Sequence, residues 1–152
     1  MSDMATTLAL REAIDRQTDD LIRAAARQVG KLRDSPMEKS QIRNLVNVAA
    51  GTISIEAVTN FIRYQIGRDT KNKTWRSGDF GKAVIEDIET GAIPAALQAV
   101  KQSVPAADEM RARADLTALY LGYLNRCFVY AKETGDWQNL SSGAGAPEGQ
   151  KT

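Results

Sequence analysis

The strongest constraint on the fold lies near the end of the chain. Over residues 107–134 a helical wheel has almost no polar side: Leu116, Leu119, Tyr120, Leu121, Tyr123, Leu124, Cys127, Phe128, Val129 and Tyr130 crowd it. A helix that is apolar nearly all round has to be enclosed, because one partner covers only one stripe. This predicts a bundle with that helix in its middle, or with part of it under a subunit interface.

The rest of the chain supplies the enclosing helices. From Ala5 to Leu32 the residues Ile14, Thr18, Leu21, Ala25, Gln28 and Leu32 recur at three and four, with Ile22 and Val29 widening the stripe. Arg11, Asp15, Arg16, Asp19, Arg23 and Arg27 fill the other face, so one continuous helix is expected, ended by Asp34-Ser35-Pro36. Ser40 reads as the N-cap of a second helix, with Ile42, Leu45, Val46 and Ala49 inward and Gly51 as its stop. Ser54 caps a third, with Ile55, Val58, Phe61, Ile62 and Ile66 inward. Residues 67–79 are polar, glycine-containing and aperiodic, and form the one long internal loop.

Gly78 or Asp79 opens a fourth helix bearing Phe80, Val84, Ile85 and Ile88, closed by Gly91. Pro94 suits the first turn of a fifth helix with Leu97 and Val100, and Pro105 separates it from the last. No strand-like alternation and no internal repeat occur. The expected fold is all-α: a single compact bundle of about five or six helices over residues 1–140, with a long C-terminal helix. The Gly-, Ser- and Pro-rich residues 141–152 are expected to form a disordered tail.

Composition narrows the chemistry. The 152 residues include no histidine and one cysteine. That excludes Ser-His-Asp and Cys-His relays, imidazole acid–base catalysis and histidine-ligated zinc. Cys127 lies on the apolar stripe of the last helix and reads as a small buried hydrophobe. Asp15, Asp19 and Asp20, or Glu86, Asp87 and Glu89, are the residue types of a magnesium site, but they read as outer faces of surface helices. Gly78 and Gly81 lack the flanking strand and Lys-Ser/Thr of a phosphate loop. No catalytic residue, metal, cofactor or small-molecule substrate is expected. With no export signal and no apolar run near ~18 residues, the expected compartment is the cytoplasm, without membrane contact.

The charge is nearly balanced overall, 20 basic against 19 acidic side chains, but unevenly distributed. Residues 61–85 carry Arg63, Arg68, Lys71, Lys73, Arg76 and Lys82 against only Asp69 and Asp79, with Tyr64 and Trp75 interleaved. Fixed cations with flat rings between them suit a phosphate backbone. On the second helix Arg43 and Asn47 face outward one turn apart, and Lys39 precedes them. Arg43, Arg63 and the 67–76 loop are expected to form one basic surface. The bland alternative is a solvated loop that Trp75 pins to the bundle. A helix-turn-helix reading of residues 43–67 meets two mismatches, Asn47 and Asn60, at positions that would bury amides.

The helix start Ser40-Gln41-Ile42-Arg43-Asn44-Leu45, followed by Phe61-Ile62-Arg63-Tyr64-Gln65 and a late tyrosine-rich helix, resembles the small all-helical subunit of type III CRISPR effector complexes. The resemblance covers residues 38–68 and 115–134. It implies a non-enzymatic subunit that stacks with copies of itself beside the crRNA–target RNA duplex and under the large subunit. Such a subunit contacts the RNA backbone without reading sequence, and target cleavage belongs to other subunits. Arg43 takes its RNA-contacting role from the matched helix start. Lys39, Arg63, Arg68, Lys71, Lys73, Arg76 and Lys82 are assigned by charge clustering. Packing between copies is expected at the rim of the last helix, around Leu121, Arg126 and Phe128. The competing reading is a helical protein–protein adaptor with no nucleic-acid role.

Overall fold

In a computed structural model, described here over residues 3–142, the chain is all-α. Its helices are α1 (Asp3–Asp15), α2 (Thr18–Val29), α3 (Lys39–Ala50), α4 (Ile55–Arg68), α5 (Phe80–Glu89), α6 (Ala92–Ser103) and α7 (Glu109–Thr134). Short 3₁₀ turns follow α2 at Gly30–Leu32 and precede α5 at Ser77–Asp79. The expected tail lies, from residue 143 on, outside the described residues.

Local chemistry sets most of the boundaries. The Ser54 hydroxyl accepts the Ala57 N–H at 3.0 Å and starts α4. Asp108 does the same for α7 through Arg111, and Gly135, at φ 78°, ends that helix in a left-handed turn. The start of α3 corrects the sequence reading. Glu38 is the cap, with its N–H donating to the Gln41 side chain at 2.9 Å, and Ser40 falls inside the helix.

The expected continuous first helix is two helices. It breaks at Arg16-Gln17 and lets α1 turn aside to lie against α6. No glycine or proline sits at the break. The tertiary reward for it is burial of Ala13 and half-burial of Leu10 and Ile14.

The central helix is α7, which packs mainly on α2, α3 and α6, while α5 wedges between α4 and α6. Leu21, Ile42, Leu45, Ile62, Phe80, Ile88, Ile93, Leu116, Tyr120, Leu121, Leu124 and Phe128 are all essentially sealed from water. This corrects the copy-to-copy surface expected from the sequence. Leu121 and Phe128 are fully buried inside one chain and cannot meet a neighbour. The bundle closes over this rim because the chain turns back after Gly135. Trp137 stands edge-on to Phe128 with centroids 6.2 Å apart, and the Cys127 thiol donates to the Leu140 carbonyl at 3.4 Å. Arg126 remains exposed, its guanidinium 5.7 Å from the Tyr123 ring.

Candidate nucleic-acid interface

The end of α4 and the loop after it form a built structure rather than a solvated tether. Asp69, at the C-terminus of α4, turns its carboxylate back into the loop. One oxygen accepts the Lys73 N–H at 3.1 Å, and the other accepts the N–H groups of Thr74 and Arg76, each at 2.9 Å. Partial burial pushes this carboxyl up, but the three backbone donors outweigh it and hold the group below its ordinary value. Arg76 closes the other side. Its Nε donates to the Ile66 carbonyl at 2.9 Å, capping the α4 C-terminus, and a second nitrogen donates to Asn72 at 3.1 Å.

The loop is also tied to the preceding connection. The Ser35 hydroxyl donates to the Lys73 carbonyl at 2.5 Å and the Ser77 hydroxyl to the Lys31 carbonyl at 3.2 Å. Trp75 anchors it from below, 2% exposed, with its ring 5.7 Å from Phe80. Trp75 is therefore a core residue and not a stacking platform for bases, as the bland reading held. Its indole N–H has no acceptor among the described residues.

Two grooves flank this loop and share only Trp75. The first, about 360 Å³, runs between the start of α3 and the end of α4, lined by Gln41, Gln65, Arg68, Asp69, Lys71 and Lys73 among others. The oxygens of its one acid are taken by backbone donors. Among the described residues, no ion pair engages Arg68, Lys71 or Lys73. Tyr64 stands beside it, 59% exposed, with the Arg68 guanidinium 5.4 Å from its ring centroid. The second groove, about 660 Å³, sets Arg63, Arg76 and Lys82 against Asp79, Glu86 and Glu89. Arg63 pairs with Glu89 at 3.1 Å.

The single basic surface expected from the sequence is thus divided. Arg68, Lys71 and Lys73 come together on one groove, while Arg63, Arg76 and Lys82 lie in a charge-balanced one. Lys39 is paired with Glu133. Arg43 and Asn47 are exposed on α3. At 100° per residue Arg43 projects about 160° around the helix from Gln41, away from the first groove. The physical reason is that α4 and its loop are bounded on both flanks: Arg68, Lys71 and Lys73, consecutive among the cations, line one groove, while Arg63 before them and Arg76 and Lys82 after them line the other. Asn47 and Asn60 are both exposed, so neither occupies the close-packed position a helix-turn-helix needs there.

Sequence reasoning missed the polar centre of the bundle. Asp87 is turned inward and buried, unlike its neighbours Glu86 and Glu89, so this trio is not one outer face. Its carboxylate accepts from Tyr120 at 2.5 Å and from Gln28 at 3.0 Å, joining α5, α7 and α2. The available signal was Gln28 on the apolar stripe of α2, a polar group that needs a buried partner. Asp15, Asp19 and Asp20 are exposed, and among the described residues no three carboxylate or thiol groups stand close enough to hold a metal ion. No helix of the described residues is long and apolar enough to cross a membrane.

Fold and site define an all-α bundle that carries a hydrogen-bonded basic loop beside an open groove. Comparison with protein-family models, with curated proteins and with solved structures finds no match to this chain.

Proposed function

We propose that this protein is a non-catalytic, RNA-backbone-binding structural subunit of a type III-like CRISPR effector ribonucleoprotein, working in the cytoplasm in antiviral defence. The observation that carries the reading is the loop around Asp69. Its own acid is held by backbone amides and forms no ion pair among the described residues, leaving Arg68, Lys71 and Lys73 on a preformed frame beside one groove. Cations held on an ordered loop lose little entropy on meeting phosphates, and they need no base-specific geometry to do so. The groove is open and polar, as suits a strand or duplex edge lying across it. The resemblance of residues 38–68 and 115–134 supplies the identity of the complex. crRNA and target RNA are then the nucleic-acid partners, and copies of this chain and the other subunits are the protein partners.

With Leu121 and Phe128 enclosed, protein contacts in this reading fall to the end of the bundle away from the basic loop. There Ile53 and Met110 are exposed, 40% and 60%, over a groove of about 530 Å³ between the starts of α4 and α7. Helix α4 spans about 20 Å from that end to Arg68, so both surfaces can be engaged together. The same apolar patch is the feature that favours the adaptor reading, which needs no RNA.

RNA binding by the purified protein, followed by fluorescence anisotropy over a salt series, separates the two. The RNA-binding reading expects weak, sequence-independent affinity whose log–log salt slope is roughly −0.7 to −0.9 per phosphate contacted. Reversing Arg68, Lys71 and Lys73 to Glu abolishes binding, while reversing Arg63 has a smaller effect because Glu89 already neutralises it. No binding at low salt, or binding untouched by the triple reversal, hands the function to the adaptor reading.

A further inference from the structure

We propose that α1 is an exchangeable arm: released from its own bundle, it becomes collinear with α2 and takes the same seat against α6 and α7 of a second copy, producing a domain-swapped dimer. This inference is independent of RNA binding. It begins with the hinge, which is only Arg16-Gln17 and keeps a helical hydrogen bond on either side. The Arg16 N–H still bonds the Glu12 carbonyl at 3.0 Å, and the Leu21 N–H still reaches the Gln17 carbonyl at 3.0 Å. Between them the Gln17 N–H takes a three-residue step, to Ile14 at 2.9 Å, and among the described residues the Arg16 carbonyl receives no backbone bond from Asp20. Gln17 itself sits at φ −90° and ψ −2°, at the edge of the helical region, and no side chain caps the start of α2. Neither glycine nor proline holds the break open.

The sequence pattern runs straight through that hinge. Leu10 and Ile14 on α1 continue at spacings of three and four into Gln17, Leu21 and Ala25 on α2, so a straight helix keeps all of them on one face. Straightened, residues 3–29 make a rod of about 40 Å, with roughly half of it reaching past its own bundle. The projecting half then carries Leu10, Ala13 and Ile14 uncovered, and the one surface already shaped for that stripe is the seat vacated on another copy. Exchange in both directions repeats every α1 contact and adds a continuous helix at each hinge. That makes the contact isologous and self-closing.

The seat is also shallow enough to leave. Met4 and Leu8 stay 72% and 52% exposed while α1 is docked, and a groove of about 510 Å³ remains between α1 and α7, bordered by Leu10, Ile14 and Leu119. A helix so lightly covered, on a two-residue connection, is the arrangement in which a second copy competes with the chain itself.

The test uses the full chain in a Cys127→Ala background, with spin labels on Thr6→Cys in α1 and Gln98→Cys in α6, and distances read by pulsed electron resonance. The expected result is a monomer with one short distance when dilute, and a growing dimer fraction on concentration. When labelled chains are dimerised with excess unlabelled chain, the short distance is replaced by one longer by on the order of 20 Å. Gln17→Gly, which disfavours a helical hinge, lowers the dimer association constant roughly fivefold per chain. A chain that stays monomeric at every concentration overturns the proposal. So does a dimer that keeps its short distance on isotopic-style dilution with unlabelled chain, or one that is indifferent to Gln17→Gly.

Discussion

The hydroxyl of Tyr120 donates to the buried carboxylate of Asp87 at 2.5 Å, tying α7 to α5 in the middle of an otherwise apolar bundle. Gln28 donates to the same carboxylate oxygen from α2 at 3.0 Å, so three helices meet at one acid. Burial first, and then the neighbouring Asp87, push the Tyr120 phenol well above its ordinary value.

Removing that hydroxyl leaves the carboxylate with one fewer buried donor. Tyr120→Phe is expected to lower stability by about 1–3 kcal/mol, seen as a reduced urea midpoint with an unchanged slope. A midpoint equal to that of the unchanged protein would mean the hydrogen bond contributes nothing net.

The same pair sets an alkaline limit. A phenol whose folded-state pKa is raised keeps its stabilising contribution below the unfolded value near 10, and loses it as pH climbs from there towards the folded value. Unfolding at constant urea should therefore rise above about pH 10 in the natural chain, and Tyr120→Phe should flatten the part of that rise due to Tyr120.

Asp69 gives a test in which charge and structure predict opposite signs. Neutralising an acid beside Arg68, Lys71 and Lys73 raises the local positive potential, which alone would strengthen phosphate binding. Asp69→Ala also releases the amides of Lys73, Thr74 and Arg76 and lets the loop move. The expected outcome is faster hydrogen exchange at those three amides together with weaker RNA binding. Tighter binding would show that the ordered loop is irrelevant. Because the folded carboxyl sits below its ordinary value, its contribution is complete above about pH 4 and fades as pH falls further.

Trp75 separates pinning from stacking. It is sealed against Phe80, and Gly81 donates to its carbonyl at 2.7 Å. Trp75→Ala should cost about 3–5 kcal/mol of stability, measured by chemical denaturation. The milder Trp75→Leu, which fills the site without an aromatic face, should leave RNA affinity within about twofold, whereas loss of a stacked base is worth ~1–3 kcal/mol of binding.

Close packing under the loop is tested at Gly81. A methyl group there would lie 2.7 Å and 2.8 Å from two carbons of Ile66 and 3.0 Å from the Trp75 carbonyl. Ile66 can shift but the carbonyl is fixed by the loop, so Gly81→Ala should destabilise by roughly 1–3 kcal/mol in thermal melts.

Much of the bundle was readable from local signals, because helical period, caps and breakers act over one or two turns. Ser54 capping α4, Pro94 in the first turn of α6 and the nearly all-round apolar α7 needed no knowledge of neighbours. The clustering of cations in residues 61–85 was equally plain, and so was the absence of histidine chemistry. What composition and periodicity determined was therefore an all-α chain with a locally basic stretch.

Tertiary structure decided which side each of those residues faces. The first helix broke at Gln17 because turning α1 against α6 buries Ala13, a reward that no local pattern encodes. Lys71 and Lys73 remained available while Arg63 and Lys39 found Glu89 and Glu133, partners 26 and 94 residues away. Asp87 turned inward because Tyr120 and Gln28 were waiting there, and Phe128 was covered by a segment that reverses direction only after Gly135. Propensity is a property of a few consecutive residues, whereas burial and charge pairing depend on contacts between distant ones, so only the assembled bundle fixes them.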